Sequence, residues 1–303
     1  MSSTLTEIPP AQPAADYREA VERIAALRAR DDATVNPVAR LILLSHHGAT
    51  ERAVVLFHGY TNAPTQYRLL ADRLYADGYT VFVPRFPYHG LRDRMTPDQA
   101  RLTALDLRQV TSEALDIAAG LGRRVIVAGI SFGGVMAAWA AQFRPGLHLA
   151  MPLAPSFDLP FVPAVVGRAV QRAALRLPNV FLWWDPRTRQ RIPGPDYAYP
   201  RFATHAVAQC MLLGQVVLHA ARTTPPASRR IAVVTTAGDT AINNHTVDHL
   251  VHDWRRYPGV QVTTLHFPRS ARVFHDMIDP SQPAYQVDRV YPALLRLIEG
   301  DGS

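Results

Sequence analysis

The stretch Val125-Ile126-Val127-Ala128-Gly129-Ile130-Ser131-Phe132-Gly133-Gly134 constrains this chain more than any other. The apolar run reads as a buried strand and the residues from Phe132 to about Arg144 read as a helix, so a serine stands at the apex of a strand-to-helix turn. A residue in so sharp a turn has a strained backbone. The glycines around it let strand and helix approach where a Cβ would clash, and the hydroxyl is lifted above the sheet edge. The first N–H groups of the following helix point at whatever negative charge forms there. A Gly-x-Ser-x-Gly match alone is also ordinary turn chemistry. The strand before it and the helix after it mark Ser131 as a candidate nucleophile.

A second buried-strand signature, Ala53 to Phe57, ends in His58-Gly59-Tyr60-Thr61-Asn62. Stabilising an oxyanion takes two backbone N–H groups converging on one oxygen, and the candidates are the amides of Tyr60 and Phe132. His58, at the strand end, reads as a structural histidine bonding nearby backbone. A serine nucleophile also needs a base to take its proton and a carboxylate to orient that base. The strand-like run Ile231 to Thr236 breaks at Ala237-Gly238-Asp239-Thr240, which puts Asp239 just past a strand end. Val260 to Leu265 is the next strand, and the loop Phe267 to Asp276 after it carries His275. The expected triad is Ser131 as nucleophile, His275 as general base and then acid, and Asp239 as the orienting carboxylate. Asp158, just past the end of the preceding strand, is the rival acid. His266 is the rival base, although it falls within or at the end of a strand.

Taken in order, His58-Gly59-Tyr60, Gly129-Ile130-Ser131-Phe132-Gly133-Gly134, Gly238-Asp239 and Phe274-His275-Asp276 resemble the α/β-hydrolase superfamily, nearest to its small carboxylesterases and monoacylglycerol-lipase-like esterases. Asp77 to Pro84 and Tyr88-His89-Gly90 resemble a further strand of that fold and its loop. The resemblance implies hydrolysis of an ester or related acyl bond through an acyl-enzyme, without a cofactor. It leaves the substrate open.

Strands alternate with helices at 65 to 77, 100 to 119 and 132 to 143, which argues an α/β fold with a mostly parallel sheet flanked by helices. Residues 1–40 read as an N-terminal extension. Tyr17, Val21, Ile24 and Leu27 share one helical face there, and the segment before them is expected to be disordered. The core is expected at 41–154 and 229–303. Residues 155–228 contain no convincing strand and are too long for an ordinary loop, so they read as an inserted helical cap with helices at 161–176 and 203–221. Trp183 and Trp184, in its aromatic and proline-rich middle, either wall an acyl pocket or hold the cap on the body.

All 32 basic residues are arginine, and the net charge is +7. They are scattered without interleaved aromatics, which reads as compositional bias and argues against a nucleic-acid partner. No apolar run approaches the roughly 18 residues of a membrane span. Met1 to Ala15 lacks the layout of a signal peptide, so a cytoplasmic location is expected. Cys210 has no partner for an intramolecular disulfide and reads as a core thiol. His245, His249 and His252 have metal-ligand spacing beside Asp248 and Asp253, yet they fit a solvated helix face better, and no metal is expected. The sequence therefore points to a serine hydrolase acting on a carboxylic ester of small or medium acyl chain. Amide, lactone or carbon–carbon hydrolysis on the same triad is the alternative among enzymes, and an inactive hydrolase-fold binding protein is the alternative outside them.

Overall fold

Apolar runs that do not alternate with polar residues belong in a sheet covered on both faces, and Ala53–Phe57 and Val125–Ile130 are indeed buried along their whole length. The computed structural model describes residues 5, 7–160, 162, 164–188, 194–282 and 285–300. Along the chain come α1 (Tyr17–Arg28), β1 (Ile42–Leu44), β2 (Thr50–Phe57), α2 (Arg68–Ala76), β3 (Thr80–Val83), α3 (Ala104–Leu121), β4 (Gly122–Ile130), α4 (Phe132–Phe143) and β5 (Leu147–Leu153). They are followed by α5 (Ala164–Ala174), β6 (Phe181–Trp183), β7 (Arg201–Ala203), α6 (Thr204–Thr223), β8 (Arg230–Thr236), α7 (Asn244–Arg255), β9 (Gln261–Phe267) and α8 (Val287–Glu299).

Among the described residues, seven strands form one sheet in the order β1-β3-β2-β4-β5-β8-β9. Only β1 runs antiparallel, against β3, so β1 and β2 are consecutive in the chain without being paired. The register decides where chemistry can collect. Phe57 lies opposite Gly129, Ile130 opposite Leu153, Leu153 opposite Val234 and Thr236 opposite Phe267. The C-terminal ends of β2, β3, β4, β5, β8 and β9 thus come out along one edge, where an open α/β sheet presents its loops.

Helix α3 starts on a reciprocal cap. Thr103 Oγ1 accepts the Asp106 N–H at 3.1 Å, while Asp106 Oδ2 accepts the Thr103 N–H at 2.8 Å. Of the segment before α1, expected to be disordered, residues 1–4 and 6 lie outside the described residues, and residues 7–15 lie along α3: the Ala14 N–H donates to the Asp116 carbonyl at 2.8 Å and Arg108 reaches the Glu7 carbonyl at 2.7 Å. Backbone bonding to a neighbouring helix fixes it, which composition alone does not reveal.

Among the described residues of 155–228 there are two α-helices, Ala164–Ala174 and Thr204–Thr223, where helices were expected at 161–176 and 203–221, and also a small antiparallel ladder between β6 and β7 that was not expected. Three-residue strands far apart in the chain show no periodicity to read. Helix α5 packs on α6, where Gln171 Nε2 donates to the Ala208 carbonyl at 3.1 Å. Helix α6 itself packs against α3 and α4 and connects β5 to β8, so its buried face, Cys210 included, belongs to the layer that covers the sheet. Among the described residues no helix is long and apolar enough to cross a membrane.

Candidate active site

Ser131 sits between β4 and α4 with φ 59° and ψ −114°, a left-handed region that costs a non-glycine residue roughly 1–3 kcal/mol. The turn is held from outside: the Ser131 N–H donates to the Leu153 carbonyl at 3.0 Å, and its carbonyl accepts the Ser156 N–H at 3.2 Å. A Cβ on Gly129 would lie 2.1 Å from the Gly133 carbonyl oxygen, and one on Gly133 would lie 2.0 Å from that of Phe57. Both glycines are therefore demanded by backbone packed against backbone.

The loop after β2 runs beside this turn. His58 is fully buried, and both its ring nitrogens are engaged. Nδ1 donates to the Gly59 carbonyl at 2.9 Å, so Nε2 is the acceptor for the Phe86 N–H at 3.3 Å. Burial, with the neighbouring His89 and Arg85, pushes its pKa well below the ordinary histidine value. A neutral histidine clamped to backbone matches the structural reading. It also orients a peptide unit: with the Gly59 carbonyl tied to His58, the Tyr60 N–H of the same trans unit points the opposite way. Among the described residues, neither the Tyr60 nor the Phe132 backbone N–H donates to a protein acceptor. The two rings stack with centroids 4.4 Å apart and planes at 3°. The Tyr60 phenol donates to Gln99 Oε1 at 2.9 Å and accepts the Ala203 N–H at 3.0 Å, which ties it to β7.

The fold brings Asp239 and His275 together. His275 Nδ1 donates to Asp239 Oδ2 at 2.7 Å, with the carboxylate side chain out of solvent and the imidazole 27% exposed. The other oxygen, Oδ1, accepts the Ala241 N–H at 2.7 Å. Burial alone would lower the His275 pKa, but the hydrogen bond to Asp239 and the charges of Asp239 and Asp276 outweigh it, and the net shift is upward.

The topology fixes where the imidazole hangs. The loop is tied at Val273, whose carbonyl accepts from Thr236 Oγ1 at 2.6 Å at the end of β8. It is tied again at Asp276, whose Oδ2 accepts from Gln66 Nε2 at 2.8 Å in the turn that follows β2. Strands β4 and β5 lie between β2 and β8 in the sheet, so the segment carrying His275 spans the ends of β4 and β5, the edge that carries Ser131. Strand β8 is two places from β4, about 10 Å.

The rivals are engaged elsewhere. Asp158 accepts from Thr246 Oγ1 at 2.8 Å, and burial raises its pKa. His266 lies inside β9, its Nδ1 2.9 Å from Thr235 Oγ1. His245, His249 and His252 are exposed along α7, and among the described residues no group of three metal-ligating side chains is assembled.

Trp183 is partly exposed at the end of β6, and Trp184 is 53% exposed. The Trp184 indole N–H donates to Thr61 Oγ1 at 3.0 Å, and the Tyr199 N–H donates to the Thr61 carbonyl at 2.7 Å. Thr61 has φ 64°. The β6–β7 segment thus rests on the same loop that offers the Tyr60 N–H. Sequence reading missed Gln66, Gln99, Thr61 and Asp276 as parts of the site, and only Thr61, next to Tyr60, and Asp276, next to His275, carried any local signal.

Residues 54–288 match the model of the alpha/beta hydrolase family. The chain belongs to that family. This hydrolase-family chain is 30% identical over 111 residues to a thermostable monoacylglycerol lipase of Bacillus sp. (strain H-257), a match that spans 37% of this chain and 43% of the Bacillus protein, less than half of either. Its fold is shared with a structure from a study of LipS and LipT, two metagenome-derived lipolytic enzymes, at TM-score 0.63 and 20% identity over 88% of this chain and 99% of the other. The monoacylglycerol lipase of Paleococcus ferrophilus aligns at TM-score 0.62 and 16% identity over 86% and 98%. A soluble variant of the monoglyceride lipase of Saccharomyces cerevisiae, in complex with a substrate analog, aligns at 0.61 and 13% over 87% and 92%.

Proposed function

We propose that this protein is a serine hydrolase that cleaves carboxylic esters of small or medium acyl chain, such as monoacylglycerols, through an acyl-enzyme. The observation that carries the reading is the 2.7 Å bond from His275 Nδ1 to a solvent-excluded Asp239, at the sheet edge that also carries the strained Ser131. The names of the lipases it resembles support the substrate class.

With Nδ1 committed to Asp239, Nε2 is the nitrogen that takes the Ser131 proton as Oγ attacks the ester carbonyl. Negative charge moves to the carbonyl oxygen, which the Tyr60 and Phe132 N–H groups receive. Collapse expels the alcohol with the proton from His275 and leaves the acyl group on Ser131. Water then repeats the sequence, giving its proton to His275, and the acid departs as Oγ recovers a proton. The described residues between β5 and α6, with Trp184 bonded to Thr61, form the cap over the acyl chain, while α6 belongs to the body.

The test combines p-nitrophenyl esters of graded length with fluorophosphonate labelling. Ser131→Ala is expected to lose labelling and to lower kcat by roughly a millionfold while the fold survives. Retention of more than about a tenth of wild-type hydrolysis overturns the assignment of Ser131, since knocking out a triad nucleophile costs far more than that. Wild-type protein that neither labels nor hydrolyses any ester in the series overturns the enzyme reading.

A further inference from the structure

The Tyr60 loop and the His275 loop reach the site from different strands, after β2 and after β9, which are not neighbours in the sheet. A buried side chain joins them. Gln66, only 2% exposed, accepts the Gly59 N–H at Oε1 (2.7 Å) and donates from Nε2 to Asp276 Oδ2 (2.8 Å). A primary amide offers an acceptor and a donor from one planar end, and the two partners dictate which way round it lies: a backbone N–H requires the oxygen and a carboxylate requires the NH2.

The Gly59–Tyr60 stretch is therefore gripped twice. Gln66 takes the N–H of Gly59, and His58 holds its carbonyl. On the far side, Asp276 follows His275 directly and is itself anchored. Its Oδ1 accepts the Asp279 N–H at 3.3 Å, and Asp279 is held by the Tyr197 hydroxyl at 2.6 Å and the Ser281 N–H at 2.8 Å. The Asn62 amide nitrogen lies 3.5 Å from Asp276 Oδ2, a weaker second contact from the same loop.

We infer that Gln66 and Asp276 are positioning residues for the proposed hydrolysis: their hydrogen bond fixes the Tyr60 N–H relative to the His275 imidazole, so that oxyanion stabilisation and proton transfer act in one transition state. Both effects depend steeply on placement, and a shift of about 1 Å costs on the order of a hundredfold in rate. The inference rests on the serine-hydrolase reading.

The experiment uses the full chain with p-nitrophenyl butyrate and measures kcat and KM separately, with melting temperature as the control for folding. Gln66→Met keeps the length and removes both hydrogen bonds. It is expected to lower kcat by about thirtyfold to a hundredfold with KM within about threefold, because the loss falls on transition-state contacts. The double variant Gln66→Glu with Asp276→Asn reverses the polarity of the link while keeping both bonds: the new carboxylate accepts from Gly59 and from the new amide. It is expected to bring kcat back to within about tenfold of wild type. A folded Gln66→Met protein that keeps kcat within about threefold, or that loses catalysis through KM, overturns the inference. If that variant does not fold, the double variant decides alone, and a folded double variant more than about tenfold down overturns it. Failure of the serine reading looks different: there Ser131→Ala retains wild-type activity whatever stands at position 66.

Discussion

Asp239 and Asp158 follow neighbouring strands, yet their surroundings set them to different tasks. The first is closed off from solvent against His275 and the Ala241 amide, and the second is bonded to a threonine on α7. Asp239→Asn is expected to cut kcat by about ten-thousandfold, since a neutral amide favours the wrong imidazole tautomer and no longer stabilises the imidazolium. Asp158→Asn is expected to stay within about tenfold, because its hydrogen bond goes to Thr246 rather than to His275. Steady-state kinetics of the two variants decides between them, and the reverse ranking moves the acid to the end of β5. The pH profile follows from the same contacts. The pKa of His275 is raised and the base must be neutral, so the acid limb of kcat/KM falls above the ordinary histidine value of about 6.5. In Asp239→Asn the burial effect is less opposed and the limb moves down in pH. The sign for stability is opposite. A raised folded-state pKa contributes stability fully below the unfolded value, and that contribution is lost as pH rises through the folded value. Activity therefore rises as this stability is lost.

Among elements, the β4–α4 turn was legible from the sequence because its requirement is local: two glycines where backbone meets backbone, one serine between them. Gly133→Ala would push a Cβ to 2.0 Å from the Phe57 carbonyl, with no flexible side chain available to give way. It is expected to cost more than about 4 kcal/mol, read as a denaturation midpoint shift or as loss of soluble protein. Near-wild-type stability means that β2 and α4 are free to separate. Asp239 follows an apolar run that ends abruptly, whereas His275 lies in the loop after β9, a strand that mixes polar and apolar residues. The pairing of β1 with β3 and the β6–β7 ladder were not legible, because short strands carry no periodicity and their partners are chosen by the sheet. Gln66 could not have been found this way. It is one glutamine in a polar turn, and its meaning depends on Asp276, 210 residues further along the chain.

At the scale of the whole molecule, one sheet edge receives loops from the six parallel strands, and Trp184 and Tyr199, between β5 and α6, lean on one of them. If Trp184 lines the acyl path, Trp184→Ala is expected to raise kcat/KM for octanoate relative to acetate esters by several-fold, up to about tenfold. An unchanged preference with a lowered melting temperature makes the side chain a fastener for the cap. The place where it fastens has a consequence for how such proteins diversify. Thr61 takes hydrogen bonds from both Trp184 and Tyr199 and stands next to Tyr60 in a left-handed conformation. If the segment carrying Trp184 selects the acyl chain, it is pinned at Thr61 to the loop proposed to hold the oxyanion. A cap grafted from a relative without donors for Thr61 would arrive with a slower enzyme, so chimeras that keep residues 58 to 66 and the cap from one parent should outperform those that split them.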